Sequence, residues 1–256
     1  MDRAGNHENG SAFKPIGDYA LIGDCRAAAL ISRDGGCDWL CLPHFSGPSV
    51  FAALLDPDTG GHLTIRPTAG YQVSREYIQD TGVLRTRFHT ASGILELTDL
   101  MPVYPRDEPD RLMQPQRELL RIIEVTDGSV ELEVAVAPRP DYGRDPGRLE
   151  RRGRLGWACP HRDGLYFVHS DVPLSETSGN MLIGQVRLGA GQDCGHARSQ
   201  GVGSVVPAEK SQVVQSTPAT RCRGRLEPAH QAATRPDPRA EFDLMFRREE
   251  IPLSGR

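Results

Sequence analysis

Four aspartates, Asp18, Asp24, Asp38 and Asp99, are the residues whose type suits acid–base catalysis. In its two-carboxylate form that chemistry takes a carboxylic acid and a carboxylate facing each other across the bond that breaks. Each of the four stands beside a glycine, a turn or a strand end, where aspartate more often accepts from local backbone amides than it touches a substrate. The Cys-x3-Cys spacing of Cys37 and Cys41 puts both thiols on one side of a strand. No second Cys or His pair completes a zinc set, so the expectation is buried thiols and no metal. Cys159-Pro-His161 and Cys194-Gly-His196 echo each other by chance. No Gly-x-Ser-x-Gly elbow, phosphate loop or dinucleotide fingerprint occurs. The residues alone therefore assign no catalytic group and no cofactor.

The elements that would position these side chains read as short strands. Apolar stretches of strand length follow one another at Tyr19–Ile22, Ala28–Ile31, Trp39–Leu42, His62–Ile65, Val83–Phe88 and Ile94–Thr98. They continue at Leu119–Val125, Val130–Val136, Leu165–His169 and Met181–Leu188. In one of them Glu131 and Glu133 fall on one face and Val130, Leu132, Val134 and Val136 on the other, the period of a half-buried strand. Glycine turns at Asp34-Gly35, Ser92-Gly93, Asp127-Gly128 and Asp163-Gly164 separate the runs at hairpin intervals. Ser49–Leu55 reads as one short helix with Ser49 as its N-cap. The expected fold is all-β: a large antiparallel, supersandwich-like β-sandwich with an irregular C-terminal tail.

Three segments follow from composition. Residues 1–14 read as a disordered leader, 15–193 as the β-sandwich, and 194–256 as an irregular tail in which Pro, Arg, Gln and Ser dominate, a text that a shifted reading frame would produce. The net charge of -4 leaves no basic footprint for nucleic acid. No apolar run is long enough for a membrane helix and no signal-type segment opens the chain, so a cytoplasmic address is expected. Six scattered cysteines agree with it.

The stretch from Pro15 to Leu55, P-I-G-D-Y-A-L-I-G-D-C-R-A-A-A-L-I-S-R-D-G-G-C-D-W-L-C-L-P-H-F-S-G-P-S-V-F-A-A-L-L, resembles the opening of bacterial glycoside hydrolase family 15 proteins, the trehalase- and glucoamylase-like group. Leu97-Thr-Asp-Leu-Met-Pro102, Leu120-Arg-Ile-Ile-Glu124 and Ala137-Pro-Arg-Pro-Asp-Tyr-Gly-Arg144 follow in the order of that family. The resemblance implies a non-catalytic β-sandwich that precedes an (α/α)6 barrel, the partner that carries both catalytic glutamates and works by inversion. No segment here resembles that barrel. The family's Pro-Arg-Phe-Asp-Ser-Pro is Pro43-His44-Phe45-Ser46-Gly47-Pro48 in this chain, and Gly36-Cys37 stands for the commoner Ser-Ile.

From the resemblance, Asp38, Trp39, His44, Phe45, Val50 and Phe51 are expected at a rim beside Ile16–Asp24, as an interdomain seam or the edge of a cleft that takes an α-glucoside. Trp39, Phe45, Val50 and Phe51 are expected partly uncovered there, which would favour self-association. Two other functions fit the same residues: a stand-alone carbohydrate-binding sandwich, and an interaction module for a separately encoded barrel. Many exposed aromatics would favour the first; a large bare apolar face would favour either the second or a truncated family member that has lost its barrel. Trehalose and α-glucan oligosaccharides remain equal as substrates of the parent enzyme.

Overall fold

The structure, a computed structural model, describes residues 13–103, 118–153, 156–162 and 164–190, together with the backbone of 200–208. Fifteen strands account for almost all of its regular structure, and every pairing is antiparallel. One layer holds β1 (Tyr19–Gly23), β2 (Ala28–Ser32), β3 (Gly36–Cys41), β4 (Ser49–Phe51) and β5 (His62–Pro67). It also holds β13 (Ser175–Thr177) and β14 (Met181–Gly189). The other holds β6 (Tyr71–Tyr77), β7 (Leu84–Thr90) and β8 (Gly93–Leu100). This second layer continues through β10 (Glu150–Arg151), β11 (Trp157–His161), β12 (Gly164–Ser170) and β15 (Gln200–Ala208).

The 18-residue strand β9 (Leu120–Ala137) belongs to both layers. Its first half pairs with β8, from Leu120↔Leu100 to Gly128↔Gly93. Its second half lies between β5 and β14. The alternation read from the sequence holds: Val130, Leu132, Val134 and Val136 are buried. They meet Ile22, Ile31, Leu63 and Ile65 of their own layer and Phe88, Leu95, Leu97 and Ile123 of the other in one core. Each such aliphatic side chain contributes about 1.5–3 kcal/mol by leaving water.

Four expectations need correction. The turn expected at Asp127-Gly128 is no turn: Asp127 pairs with Ile94 and Val125 with Leu95, so Thr126 is an extra residue and β9 continues past it. Such a bulge lets a strand change course without ending. Gly128 takes φ +64, and a Cβ there would meet Ser92 O at 2.1 Å, so the close approach of β8 requires glycine. Ser49–Leu55 is not a helix. Ser49–Phe51 is the short strand β4, and Ser49 Oγ accepts from Tyr142 N instead of capping its own segment. Among the described residues the one helix is a 3-10 turn at Ile16–Asp18. Part of the segment read as irregular tail, 200–208, is strand β15, paired to β12 from Leu165↔Ala208 onward. Its three valines are strand formers that the surrounding polar text hid. Lys14, placed in the leader, is anchored to β3. The rest of the leader, 1–12, and of the tail, 194–199 and 209–256, lie outside the described residues.

Strand β6 was missed altogether. Its burial pattern alternates between half-buried and exposed because it lies at an edge of its layer, so no apolar run marks it.

Candidate functional site

The structure places the candidate residues in three different settings. Asp24 behaves as a turn residue, its Oδ1 accepting from Arg26 N at 2.9 Å and Ala27 N at 2.6 Å. Asp18 lies 3.4 Å from Arg33 Nε in an open ion pair. Asp99 sits within β8, fully buried, where Arg121 of β9 holds it: Nε donates to Oδ1 at 2.7 Å and Nη2 to Oδ2 at 3.3 Å. Arg121 also donates to the Leu63 and Gly35 carbonyls, each at 2.9 Å. One guanidinium thus ties the two layers together, and Asp99 is a structural counter-ion. Asp99 and Arg121 lie in separate segments of the sequence, which carries no signal for their pairing.

Asp38 lies on β3 with its side chain 5% exposed. Its Oδ2 accepts from Lys14 Nζ at 2.8 Å and from the Tyr19 hydroxyl at 3.0 Å. Lys14 also donates to Asp34 Oδ1 at 2.9 Å and to Ser32 Oγ at 3.0 Å. Burial works against charge at Asp34, but Lys14 and the Ser32 hydroxyl outweigh it and hold its carboxyl below the usual range. Burial likewise pulls Lys14 down, and the two aspartates more than restore it. Desolvation, with Asp38 beside it, pushes the Tyr19 phenol up. A Cβ at Gly36 would stand 2.8 Å from Ser32 Oγ and 2.9 Å from Asp38 Oδ1. Glycine at that position is what lets the cluster close. The cluster borders an open cleft of about 350 Å³ over β3, β5, β9 and β14, with His62, Arg66 and Glu133 on its other side. Burial lowers the His62 pKa and keeps the ring neutral.

The rim is the third setting. Val50 and Phe51 are fully buried and belong to the core, against the expectation that they would be uncovered. Strand β4 pairs with β3 at Leu40↔Phe51 and is covered on both faces, so Val50 and Phe51, which point to opposite sides, are buried alike. Phe45 is 66% exposed and His44 is exposed beside it. The Phe45 N–H donates to Arg26 O at 2.9 Å, so the segment rests against the β1–β2 turn. Trp39 is half-buried and packs on Tyr142, ring centroids 6.0 Å apart and tilted by 45°. Tyr142 was not singled out from the sequence. Asp141 and Tyr142 both take left-handed φ, +55 and +60. The hydrogen bonds of their amides to Ser49 hold that unfavourable backbone in place. Asp38 and the Trp39–Phe45–Tyr142 rim are therefore separate features of one segment. Cys37 and Cys41 are buried free thiols, as read, and no group of three His, Cys, Asp or Glu among the described residues is placed to hold a metal.

With this all-β fold on hand, the comparison with known proteins is direct. Residues 6–174 match the family described as trehalase-like, N-terminal, and the chain belongs to that family. It is similar to the trehalase of Mycolicibacterium smegmatis, 32% identical over 152 residues, 55% of this chain and 23% of that protein. The trehalase of Thermoplasma volcanium is 30% identical over 179 residues, 69% and 28% respectively. Trehalase 1 of Sulfolobus acidocaldarius is 41% identical over 175 residues, 64% and 26%. The chain spans about a quarter of the length of these curated relatives.

Proposed function

We propose that this domain is the non-catalytic amino-terminal β-sandwich of a family 15 glycoside hydrolase that cleaves trehalose or α-glucan oligosaccharides by inversion, and that its rim docks the (α/α)6 catalytic barrel. The observation that carries the reading is the match of residues 6–174 to the trehalase-like N-terminal family, in relatives whose remaining three quarters this chain does not span. The state of the aspartates supports the non-catalytic part. Asp24 caps a turn, Asp99 is buried against Arg121, and Asp38 is held as the ion-pair partner of Lys14, so none is placed as an acid or base facing a second carboxylate across a sugar bond. Trp39, Phe45 and Tyr142 supply the aromatic surface that interfaces favour. A cytoplasmic address belongs to the same reading, supported by Cys25, Cys37, Cys41 and Cys159 all being free.

Glucose release from trehalose, maltose and starch by the purified chain tests the proposal. The expected result is none. Release that follows the protein through purification and disappears in Asp38→Asn would overturn it.

A further inference from the structure

We infer that the cleft over the outer face of β3, β5, β9 and β14 binds a neutral, hydroxyl-rich ligand, a mono- or disaccharide, at a place separate from the aromatic rim. Its volume of about 350 Å³ falls within the range of small-molecule sites. Leu54 and Ile183 give its lining apolar surface, and Lys14, Asp38, His62, Arg66 and Glu133 bring hydrogen-bonding groups to it. Three of them, Lys14, Asp38 and Glu133, are held by the fold. Asp38 commits only Oδ2, to Lys14 and Tyr19, and its Oδ1 has no hydrogen bond among the described residues. Glu133 Oε2 accepts from Gln185 Nε2 at 3.1 Å. Polar groups whose positions are already fixed lose little freedom when a ligand arrives.

The pairing of charges decides the ligand's class. Lys14 is shared between Asp34 and Asp38, and Arg66 stands opposite Glu133 in the β5–β9 register. An anion would have to draw Lys14 from its two carboxylates or lie beside Glu133, and a cation would have to displace Lys14 or lie beside Arg66. A hydroxyl donates and accepts at once, so it inserts between such groups without separating them. Neutral His62, with one ring nitrogen a donor and the other an acceptor, extends the same mixed lining. The apolar part of the lining suits the C–H face of a pyranose ring.

Titration calorimetry and amide-shift mapping of the full chain, with trehalose and with maltose as probes and sodium sulfate as the anion control, test this. At least one sugar is expected to bind saturably in the millimolar range, with shifts centred on His62, Glu133 and Ile183. Ile183→Trp fills the cleft from a partly exposed strand position with a residue that strands favour, and is expected to weaken binding about tenfold or more. Tyr142→Ala at the rim is expected to leave it within about twofold. Four results would each overturn the inference: no saturation by either sugar up to about 100 mM, shifts confined to Trp39 and Tyr142, full binding by folded Ile183→Trp, or sulfate bound as well as the sugars. None of these bears on hydrolysis, so the site stands or falls apart from the proposed function.

Discussion

Arg121 and Asp99 face each other across the β8–β9 ladder, 2.7 Å apart and both without solvent contact. Removing one member leaves the other charged in the core, whereas removing both leaves a small apolar gap. Arg121→Met is therefore expected to lower unfolding stability by about 3–5 kcal/mol, and Asp99→Leu combined with Arg121→Met by clearly less than the single change. Denaturant unfolding of the single and double variants gives the comparison. A double variant less stable than Arg121→Met would contradict it.

The Lys14 cluster predicts a pH signature. Asp34 is held below its ordinary value of 3.8, so its contribution is complete above that pH and fades as pH falls through the lower folded value. Lys14 is raised above 10.5, so its contribution is complete below that pH and fades as pH rises through the higher folded value. Lys14→Met is expected to cost about 1–3 kcal/mol on the plateau between roughly pH 4 and pH 10, because Lys14 is partly exposed while Asp38 is not. The gap between variant and parent should narrow at both ends. Thermal unfolding across pH reads it, and a gap constant with pH would sink the account.

Thiol chemistry separates the cysteines. Burial pushes the Cys37 and Cys159 thiols up to about 12 and that of Cys41 to about 11, while Cys25 is exposed on the β1–β2 turn. Thiolate is the reactive form. Cys25→Ser should remove one rapidly reacting equivalent from an Ellman titration of the native chain. Replacing Cys37, Cys41 and Cys159 together by serine should leave the rapid phase unchanged and remove signal only after denaturation.

At the rim, exposed Phe45 and Tyr142, with Ile16 and Leu21 exposed on the neighbouring edge, are apolar surface available for association. Sedimentation of the purified chain is expected to show concentration-dependent self-association that Phe45→Ser with Tyr142→Ser reduces. A monomer at every concentration would remove the rim from consideration as an interface.

The sequence announced those strands whose apolar residues alternate or run together, because burial on one face writes itself into a period of two; Val130 to Val136 is the clearest instance. Edge strand β6 has only a half-buried face, with Tyr71 and Val73 its sole aliphatic or aromatic residues packed on the core, and so wrote too little to read. Asp127-Gly128 was misread because a glycine with positive φ serves a bulge as well as a turn, and only the strand beyond it tells them apart. Of the candidate site, Trp39 and Phe45 were legible as surface aromatics in a distinctive segment. Val50 and Phe51 were not placed correctly, since Ser49 as a helix cap was the wrong local reading and hid the pairing of β4 with β3. Lys14, Tyr19 and Arg121 were invisible because each acts on a carboxylate 19 or more residues away. Sequence spacing carries no trace of such contacts.

Strand β9 draws hydrogen bonds from β8 at one end and from β5 and β14 at the other. Neither layer can be peeled away without cutting the same strand out of the remaining one. Amides at the middle of β9 should therefore exchange with deuterium only when the entire described domain opens, at a single rate-limiting free energy. Its partners also come from segments far before and after it in the chain, so the layer that holds β5 is complete only after β14 has been made. That places a slow, late commitment at the centre of its folding.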